Sequence, residues 1–267
     1  MALFQYDFMQ RAIFACLAIA IFAPILGLFL ILRGQALMAD TLSHVSLAGV
    51  ALGYLLGLNP TWTTMAFVVL AALLLEYLRH VYENYSDISI AMLMSGGMAV
   101  ALLLLSRVES AASIESFLFG SIVAVSLLQV LLLWVLAVLV LVLYWRFRRM
   151  LYVLAFDEDT AFTAGLPTRA LSIGFSLLTG LAISVVMPIA GALLVSAILI
   201  MPAAIAMRSM KTFNGVLLFA GALGLIGMLS GLALSFYWGT PPGATIAMLF
   251  VLAFVVQAVL LKIRGRH

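Results

Sequence analysis

Cysteine, charge and lysine are scarce in this chain, and each scarcity excludes a class of protein. Cys16 is the only cysteine, so neither an internal disulfide nor a cysteine-based zinc cluster can form. The only lysines are Lys211 and Lys262, and the Gly-rich sequence of an ATP-binding P-loop is absent. Charged residues make up 9% of the chain, whereas ordinary soluble domains carry about 25%. The chain is therefore neither an ordinary soluble domain nor a P-loop ATPase.

Apolar residues are abundant instead, at 66% of 267 residues, and they form long runs from end to end. Such runs are typical of a polytopic helical membrane protein. We expect an all-α polytopic membrane protein, a bundle of eight or nine transmembrane helices that forms a single domain over residues 1–267. No basic region precedes the first run, so we expect that run to stay as a membrane helix. The nine predicted spans are 12–32, 35–58, 61–79, 88–106, 118–145, 169–187, 191–207, 214–236 and 244–261.

Arginine and lysine fall mostly on one side of these spans. If the segment 146–149 is cytoplasmic, only Arg11 and Arg107 fall outside. Because basic residues collect in short cytoplasmic loops, this bias predicts a cytoplasmic C-terminus and, with nine spans, an external N-terminus. The uneven placement of the basic residues thus reports orientation in the lipid bilayer, and the net charge of +3 does not indicate nucleic-acid binding.

A short break, MPIAG at 187–191, separates two of the predicted spans. It could join two full spans in a tight turn. It could also mark a partly unwound helix along a pathway, which membranes tolerate only where the backbone faces protein or water.

Asp40 and His44 are ionisable residues in an otherwise apolar run. Their i,i+4 spacing places both side chains on one face of a helix. The stretch from His44 to Leu58 is shorter than the roughly 20 residues that cross a bilayer, so the helix must begin upstream, near Ala36. Both side chains then lie within the membrane, where an ionisable residue is costly and indicates a functional site.

The Asp40–His44 pair has two interpretations. It could be a buried hydrogen-bonded pair that only fixes helix packing, or it could bind a divalent metal, because carboxylate and imidazole suit first-row metals. Two ligands do not close a metal site. A two-fold dimer with its pore on the axis would bring together two copies of each residue, an N2O2 set that zinc accepts. Glu76, in contrast, is expected to pair locally with Arg79 at i,i+3.

A cytoplasmic loop at about 146–168 contains a short predicted helix. The acidic segment 157–159 precedes the amphipathic stretch Thr160 to Ala164, and Gly165 and Pro167 end it. A helix this short is not stable alone. It either docks into a partner or lies on the lipid headgroups.

Four motifs make the chain resemble the ABC-3 family of bacterial metal-ion importer permeases, over about residues 12–261. They are DTLSHVSLAGVALGY at 40–54, LFG at 118–120, D-x-A-F-x-x-G at 159–165 and GALLVSAILIMPAAIA at 191–206. The resemblance implies a multi-pass subunit of the bacterial cytoplasmic membrane that is not itself an enzyme. It implies import of zinc or manganese, and the first motif is more similar to the zinc branch.

The resemblance also implies partners: a second copy of the permease, cytoplasmic ATPase subunits that use the ATP, and an extracytoplasmic metal-binding protein. Metal would be cargo, and no permanently bound cofactor is expected. Asp40 and His44 would take part in metal passage. Coupling to the ATPase would fall on Asp157, Asp159, Ala161, Phe162, Ala164, Gly165 and Pro167.

Two other functions fit the apolar composition. A permease for a siderophore or cobalamin would favour a wide, uncharged pore and would not need an Asp-x-x-x-His pair at membrane depth. A secondary metal transporter would use an ion gradient and would need no ATPase. Co-purification of an ATPase would separate this last class from the others.

Overall fold

Helices account for most of the computed structural model, which describes residues 7–82, 86–107, 118–121, 125–192 and 194–263. No strand occurs among these residues. The helices are α1 (Asp7–Leu32), α2 (Ala36–Leu56), α3 (Pro60–Val81), α4 (Ser86–Leu105), α5 (Leu127–Phe156), α6 (Glu158–Thr163), α7 (Thr168–Ala190), α8 (Val195–Ser209), α9 (Phe213–Trp238) and α10 (Pro242–Ile263).

Eight of these helices are long and apolar enough to cross a membrane, namely α1 to α5, α7, α9 and α10. Helix α8 has only 15 residues, a length of about 22 Å at 1.5 Å per residue. It is shorter than the roughly 30 Å hydrocarbon core. The expected bundle of eight or nine helices is confirmed, and the span predicted at 191–207 is this shorter helix.

The predicted span 118–145 is wrong at its start, because α5 begins at Leu127. Ser126 caps the helix: its hydroxyl accepts from the backbone N–H of Gln129 at 3.3 Å, and the Gln129 side chain accepts from the Ser126 N–H at 2.9 Å. This reciprocal capping satisfies two N–H groups that would otherwise lack partners. A prediction from apolarity alone starts this helix too early, because hydropathy carries no information about capping hydrogen bonds.

The end of that span was also misplaced, because α5 continues through the arginine segment 146–149 to Phe156. Arginine is a good helix former, and its long side chain can reach water from a helix that leaves the membrane. Asp157, which caps the next helix, is the first residue that stops it. The cytoplasmic loop predicted at 146–168 is therefore confined to 157–167.

The break predicted at 187–191 lies slightly later. Helix α7 runs through Pro188 to Ala190, and a turn follows at Gly191, whose carbonyl accepts from the N–H groups of Leu194 and Val195 at 3.1 and 3.2 Å. Gly191 has φ of +87°, a conformation that side chains with a Cβ rarely adopt. The connection from α7 to α8 is therefore a tight turn.

The LFG motif packs against this turn. The N–H of Ser121 donates to the carbonyl of Pro188 at 3.3 Å. A Cβ added at Gly191 would lie 2.6 Å from the backbone nitrogen of Gly120, and one added at Gly243 would lie 2.8 Å from the carbonyl carbon of Ala190. Three separate parts of the chain thus meet through backbone contacts, which we call the glycine junction.

Helix α1 is largely buried in the bundle. It packs mainly on α5, α8 and α9, whereas α2 packs on α3 and α4, and α7 contacts α2, α3 and α5. The ring of Phe29, near the end of α1, lies 5.7 Å from that of Phe213, at the start of α9. Phe213 in turn lies 5.4 Å from Tyr152 near the end of α5. The start of α9 therefore lies at the same end of the bundle as the ends of α1 and α5, the predicted cytoplasmic end. Although α8 is short, it returns the chain to that end, and α9 and α10 run in the predicted directions.

Candidate metal site

Helix α2 presents Asp40 and His44 on one face. It begins at Ala36, as the length argument predicted. The Nε2 atom of His44 lies 3.6 Å from Oδ2 of Asp40, and the side chains are 12% and 34% exposed. The carboxylate is thus the more accessible group, and the imidazole lies deeper in the protein.

Helix α8 adds a third polar group that the sequence did not reveal. The hydroxyl of Ser196 donates to Oδ1 of Asp40 at 3.3 Å. Ser196 lies in the first turn of α8, directly after the tight turn, and α8 packs on α2. A single serine in an apolar motif gives no signal in the sequence, and only the contact between the helices identifies it.

Two serines of α2 hold the turn between α7 and α8. The Ser43 hydroxyl donates to the carbonyl of Ala192. The Ser46 hydroxyl lies 2.8 Å from the sulfur of Met187. Both serines are buried. These contacts fix the start of α8, and with it Ser196, relative to Asp40.

The imidazole of His44 is incompletely satisfied. Its Nδ1 is buried and has no hydrogen-bond partner among the described residues. Its Nε2 is 3.6 Å from the carboxylate, beyond the 2.7–3.2 Å of ordinary N–H···O bonds. A histidine that only fixed packing would be expected to satisfy both nitrogens. The described residues therefore give neither imidazole nitrogen an ordinary hydrogen bond.

One copy of the chain does not provide a closed metal site. In the part of the chain that the structure describes, no group of three or more His, Cys, Asp or Glu side chains could hold a metal ion. Asp40, His44 and Ser196 supply one carboxylate, one imidazole and one hydroxyl. Structural zinc sites use four ligands, so this set is incomplete by itself.

The predicted cytoplasmic helix is present as α6. Asp157 caps it, because its Oδ1 accepts from the N–H groups of Asp159 and Thr160 at 3.1 and 3.0 Å. Hydrogen bonds from the Thr160 hydroxyl and N–H hold the pKa of the Asp157 carboxyl below its usual value. A lowered folded-state pKa means that this stabilisation is present at neutral pH and is lost as the pH falls through that pKa.

The predicted coupling residues occupy distinct places around α6. Ala161 is buried, whereas Phe162 is 72% exposed. Ala164 ends the helix, and Gly165 and Pro167 lead into α7. The short helix thus has a small buried anchor and a large aromatic side chain directed away from it.

The sequence matches the ABC 3 transport family over residues 5–261, and the chain belongs to that family. It is 33% identical over 260 residues to a probable metal transport system membrane protein of Treponema pallidum, covering 97% of each chain. It is 30% identical over 254 residues to a manganese transport system membrane protein of Listeria innocua, covering 95% of this chain and 91% of the relative. The fold is similar to that of PsaBC from Streptococcus pneumoniae in complex with Fab, with a TM-score of 0.84, 28% identity, and coverage of 96% and 92%.

This membership confirms the predicted class. The chain is a multi-pass permease of the bacterial cytoplasmic membrane and a subunit of an ATP-binding-cassette metal importer. It is a transport subunit and not an enzyme, and the class implies ATPase and binding-protein partners. A secondary transporter driven by an ion gradient is thereby excluded.

Proposed function

We propose that this permease carries a first-row divalent cation past Asp40, His44 and Ser196. The observation that supports this assignment is the convergence of His44 from α2 and Ser196 from α8 on one carboxylate. Carboxylate and imidazole suit such metals. The more accessible carboxylate meets the arriving ion first, and the deeper imidazole receives it.

An incomplete ligand set suits transport. A metal held by a closed set of ligands from one copy would leave slowly, which would stall import, whereas a set divided between two copies can separate when the permease opens. Three donors, one of them a neutral hydroxyl, bind more weakly. In our proposal, ATP-dependent closure of the partner subunits moves α6, the permease opens inward, and the cation leaves to the cytoplasm.

We further propose that two copies of the chain form a two-fold dimer and share the site. A two-fold axis near Asp40 would bring two carboxylates and two imidazoles together, the four ligands of a tetrahedral zinc ion. The accessibility of the Asp40 side chain, 34%, supports this arrangement, because a carboxylate sealed within one copy could not reach the other.

Zinc is the cargo that the sequence motif favours, and manganese is the second candidate. Manganese is favoured by the name of the Listeria innocua relative and by the oxygen donors of Asp40 and Ser196, since carboxylate ligands suit manganese.

Competition for ATP-dependent uptake tests the cargo. In vesicles that contain the permease, its ATPase and the binding protein, we expect unlabelled zinc to reduce the uptake of labelled zinc about tenfold more effectively than manganese does, a difference of about 1.4 kcal/mol. The control uses vesicles without ATP. Stronger competition by manganese would assign manganese as the cargo, and the absence of ATP-dependent uptake of either metal would contradict the proposed function.

The coupling role of α6 has its own test. We expect Phe162→Ala to lower co-purification of the ATPase about tenfold or more, because an exposed aromatic side chain that enters a partner's pocket commonly contributes 2 kcal/mol or more to binding. Trp62→Ala is the control, since Trp62 is an exposed aromatic residue at the opposite end of the bundle. Normal co-purification of the Phe162 variant would favour α6 lying on the lipid headgroups.

A further inference from the structure

An apolar groove lies between α1, α5 and α7, towards the predicted cytoplasmic end of the bundle. Its volume is about 290 Å³, and Tyr144 carries the only polar side-chain atom among the residues that line it. The rings of Tyr144 and Phe175 lie 6.3 and 6.2 Å from the ring of Phe29, which is buried. Ala170 also lines the groove and is exposed. The groove therefore has a packed aromatic wall and is open to the surroundings of the protein.

The length of the groove matches one leaflet of a bilayer. Its lining on α5 runs from Val140 to Leu151, a rise of about 16 Å at 1.5 Å per residue. Because the hydrocarbon core is roughly 30 Å thick, the acyl chains of one leaflet extend over about 15 Å. Both α5 and α7 are long and apolar enough to cross the membrane. An acyl chain that lies along these two helices therefore fits the groove.

A basic cavity adjoins the inner half of the groove. This second cavity, of about 420 Å³, is lined by residues 145–150 and shares Phe147 with the groove. The guanidinium of Arg146 lies 5.4 Å from the centre of the Phe147 ring. Arg148 follows Tyr144 by one helical turn, so both side chains lie on one side of α5. Cationic groups are thus placed next to the apolar groove.

The described residues do not compensate the charge of Arg146, Arg148 and Arg149. All three are exposed, and none forms an ion pair with a described carboxylate. Neither α5 nor α7 contains an acidic residue, and the nearest acids along the chain, at 157–159, lie beyond the end of α5. A molecule that joins an anionic group to an apolar chain would satisfy both cavities.

We propose that the groove binds one anionic phospholipid of the cytoplasmic leaflet. Its acyl chain lies along α5 and α7, and its phosphate lies beside Arg146 and Arg148. Basic pockets between membrane helices on the cytoplasmic side bind anionic headgroups in this way. A zwitterionic phospholipid would fill the groove equally well, but it would gain less from the arginines because it carries no net charge.

Native mass spectrometry of the assembled importer in detergent tests the headgroup. The probes are phosphatidylglycerol and phosphatidylcholine with identical acyl chains, added separately after co-purified lipid has been removed. We expect each permease chain to retain one phosphatidylglycerol and to retain phosphatidylcholine at least about fivefold less, since one arginine near the membrane surface contributes about that factor. Arg148→Gln should lower retention of phosphatidylglycerol about fivefold and leave that of phosphatidylcholine unchanged. Lys262→Gln is the control, because Lys262 is an exposed cation in the last turn of α10 that lines neither cavity.

Filling the groove tests the acyl chain. Gly174 lines the groove, and a Cβ added there would have nothing within 4 Å, so the side chain of Gly174→Leu enters open space. We expect retention of both lipids to fall at least about tenfold, roughly the effect of removing two buried methylene groups. Ala170→Leu is a second filling variant with the same expected result. Gly96→Leu is the matched control, because a Cβ added at Gly96 also meets nothing within 4 Å and Gly96 belongs to α4, which does not line the groove.

Equal retention of the two lipids, or retention that both filling variants leave unchanged, would overturn the proposal. If a second copy of the chain occupies the groove instead, the filling variants would separate the permease pair without changing lipid retention, and the mass of the complex would report this. The melting temperature in detergent distinguishes a filled groove from an unfolded protein. No metal is measured, so a negative result leaves the proposed metal site untouched.

Discussion

Replacement of Asp40 or His44 by alanine should reduce metal uptake at least about 100-fold while leaving the importer assembled. Loss of residues that merely support metal ligands costs about 10–100-fold in affinity or activity, and these two side chains are the strongest donors of the proposed site. Ser196→Ala should have a smaller effect, about tenfold, because a neutral hydroxyl is a weaker ligand than a carboxylate. Uptake is measured in vesicles with the ATPase and the loaded binding protein.

Thr41→Val is a matched control for these variants. Thr41 lies on the same helix, is buried, and its hydroxyl donates only to the carbonyl of Leu37 in the preceding turn. This change should leave uptake within about twofold of the unmodified protein, since such bonds within one helix contribute about 1 kcal/mol or less. Normal uptake by the Asp40 and His44 variants would show that the pair only fixes helix packing.

Metal stoichiometry distinguishes a shared site from two separate ones. If two copies of Asp40 and His44 meet on a two-fold axis, one metal ion binds per two chains, and Asp40→Ala removes it. One ion per chain would contradict the shared site, although it would leave a metal site at Asp40 intact. The measurement therefore tests the dimer proposal independently of the transport assay.

Most of the fold follows from apolarity, because length and hydropathy decide which segments cross a bilayer. Helix ends depend on local hydrogen bonds that hydropathy does not register. The start of α5 is set by the cap at Ser126, and its end by Asp157, not by the arginines at 146–149. Both ends were therefore misplaced, although the existence of the helix was predicted correctly.

In the candidate site, only contacts between residues of the same helix could be predicted from the sequence. The contacts Asp40–His44 and Glu76–Arg79 join residues three or four positions apart, which helical periodicity places on one face. Ser196 lies 156 positions from Asp40, and Ser176 lies 100 positions from Glu76. Such contacts depend on which helices pack together and at what rotation, and in membranes small residues and single polar groups decide this.

The glycine junction is another long-range feature, since it joins the LFG motif, the turn after α7 and the start of α10. At Gly191 the backbone has φ of +87°, and an added Cβ would lie 2.5 Å from the carbonyl carbon of Phe119. The three atoms nearest to this added Cβ, in Leu118, Phe119 and Gly120, all belong to the backbone. The strain could therefore be relieved only by moving the backbone. The same backbone positions Ala192, whose carbonyl accepts from Ser43 next to the proposed site.

We therefore expect Gly191→Ala to destabilise the fold by about 2–6 kcal/mol, combining about 1–3 kcal/mol for the unfavourable φ with about 1–3 kcal/mol for overpacking. That is a large part of the 5–15 kcal/mol that ordinarily stabilises a domain, so the yield of folded protein and its melting temperature in detergent should both fall. Gly174→Ala is the matched control in the same segment, because nothing lies within 4 Å of a Cβ added there. As an interior position of α7, it should gain up to about 1 kcal/mol from the better helix propensity of alanine. A Gly191 variant as stable as the Gly174 variant would show that the junction has room to yield, and that it is not what positions Ser196.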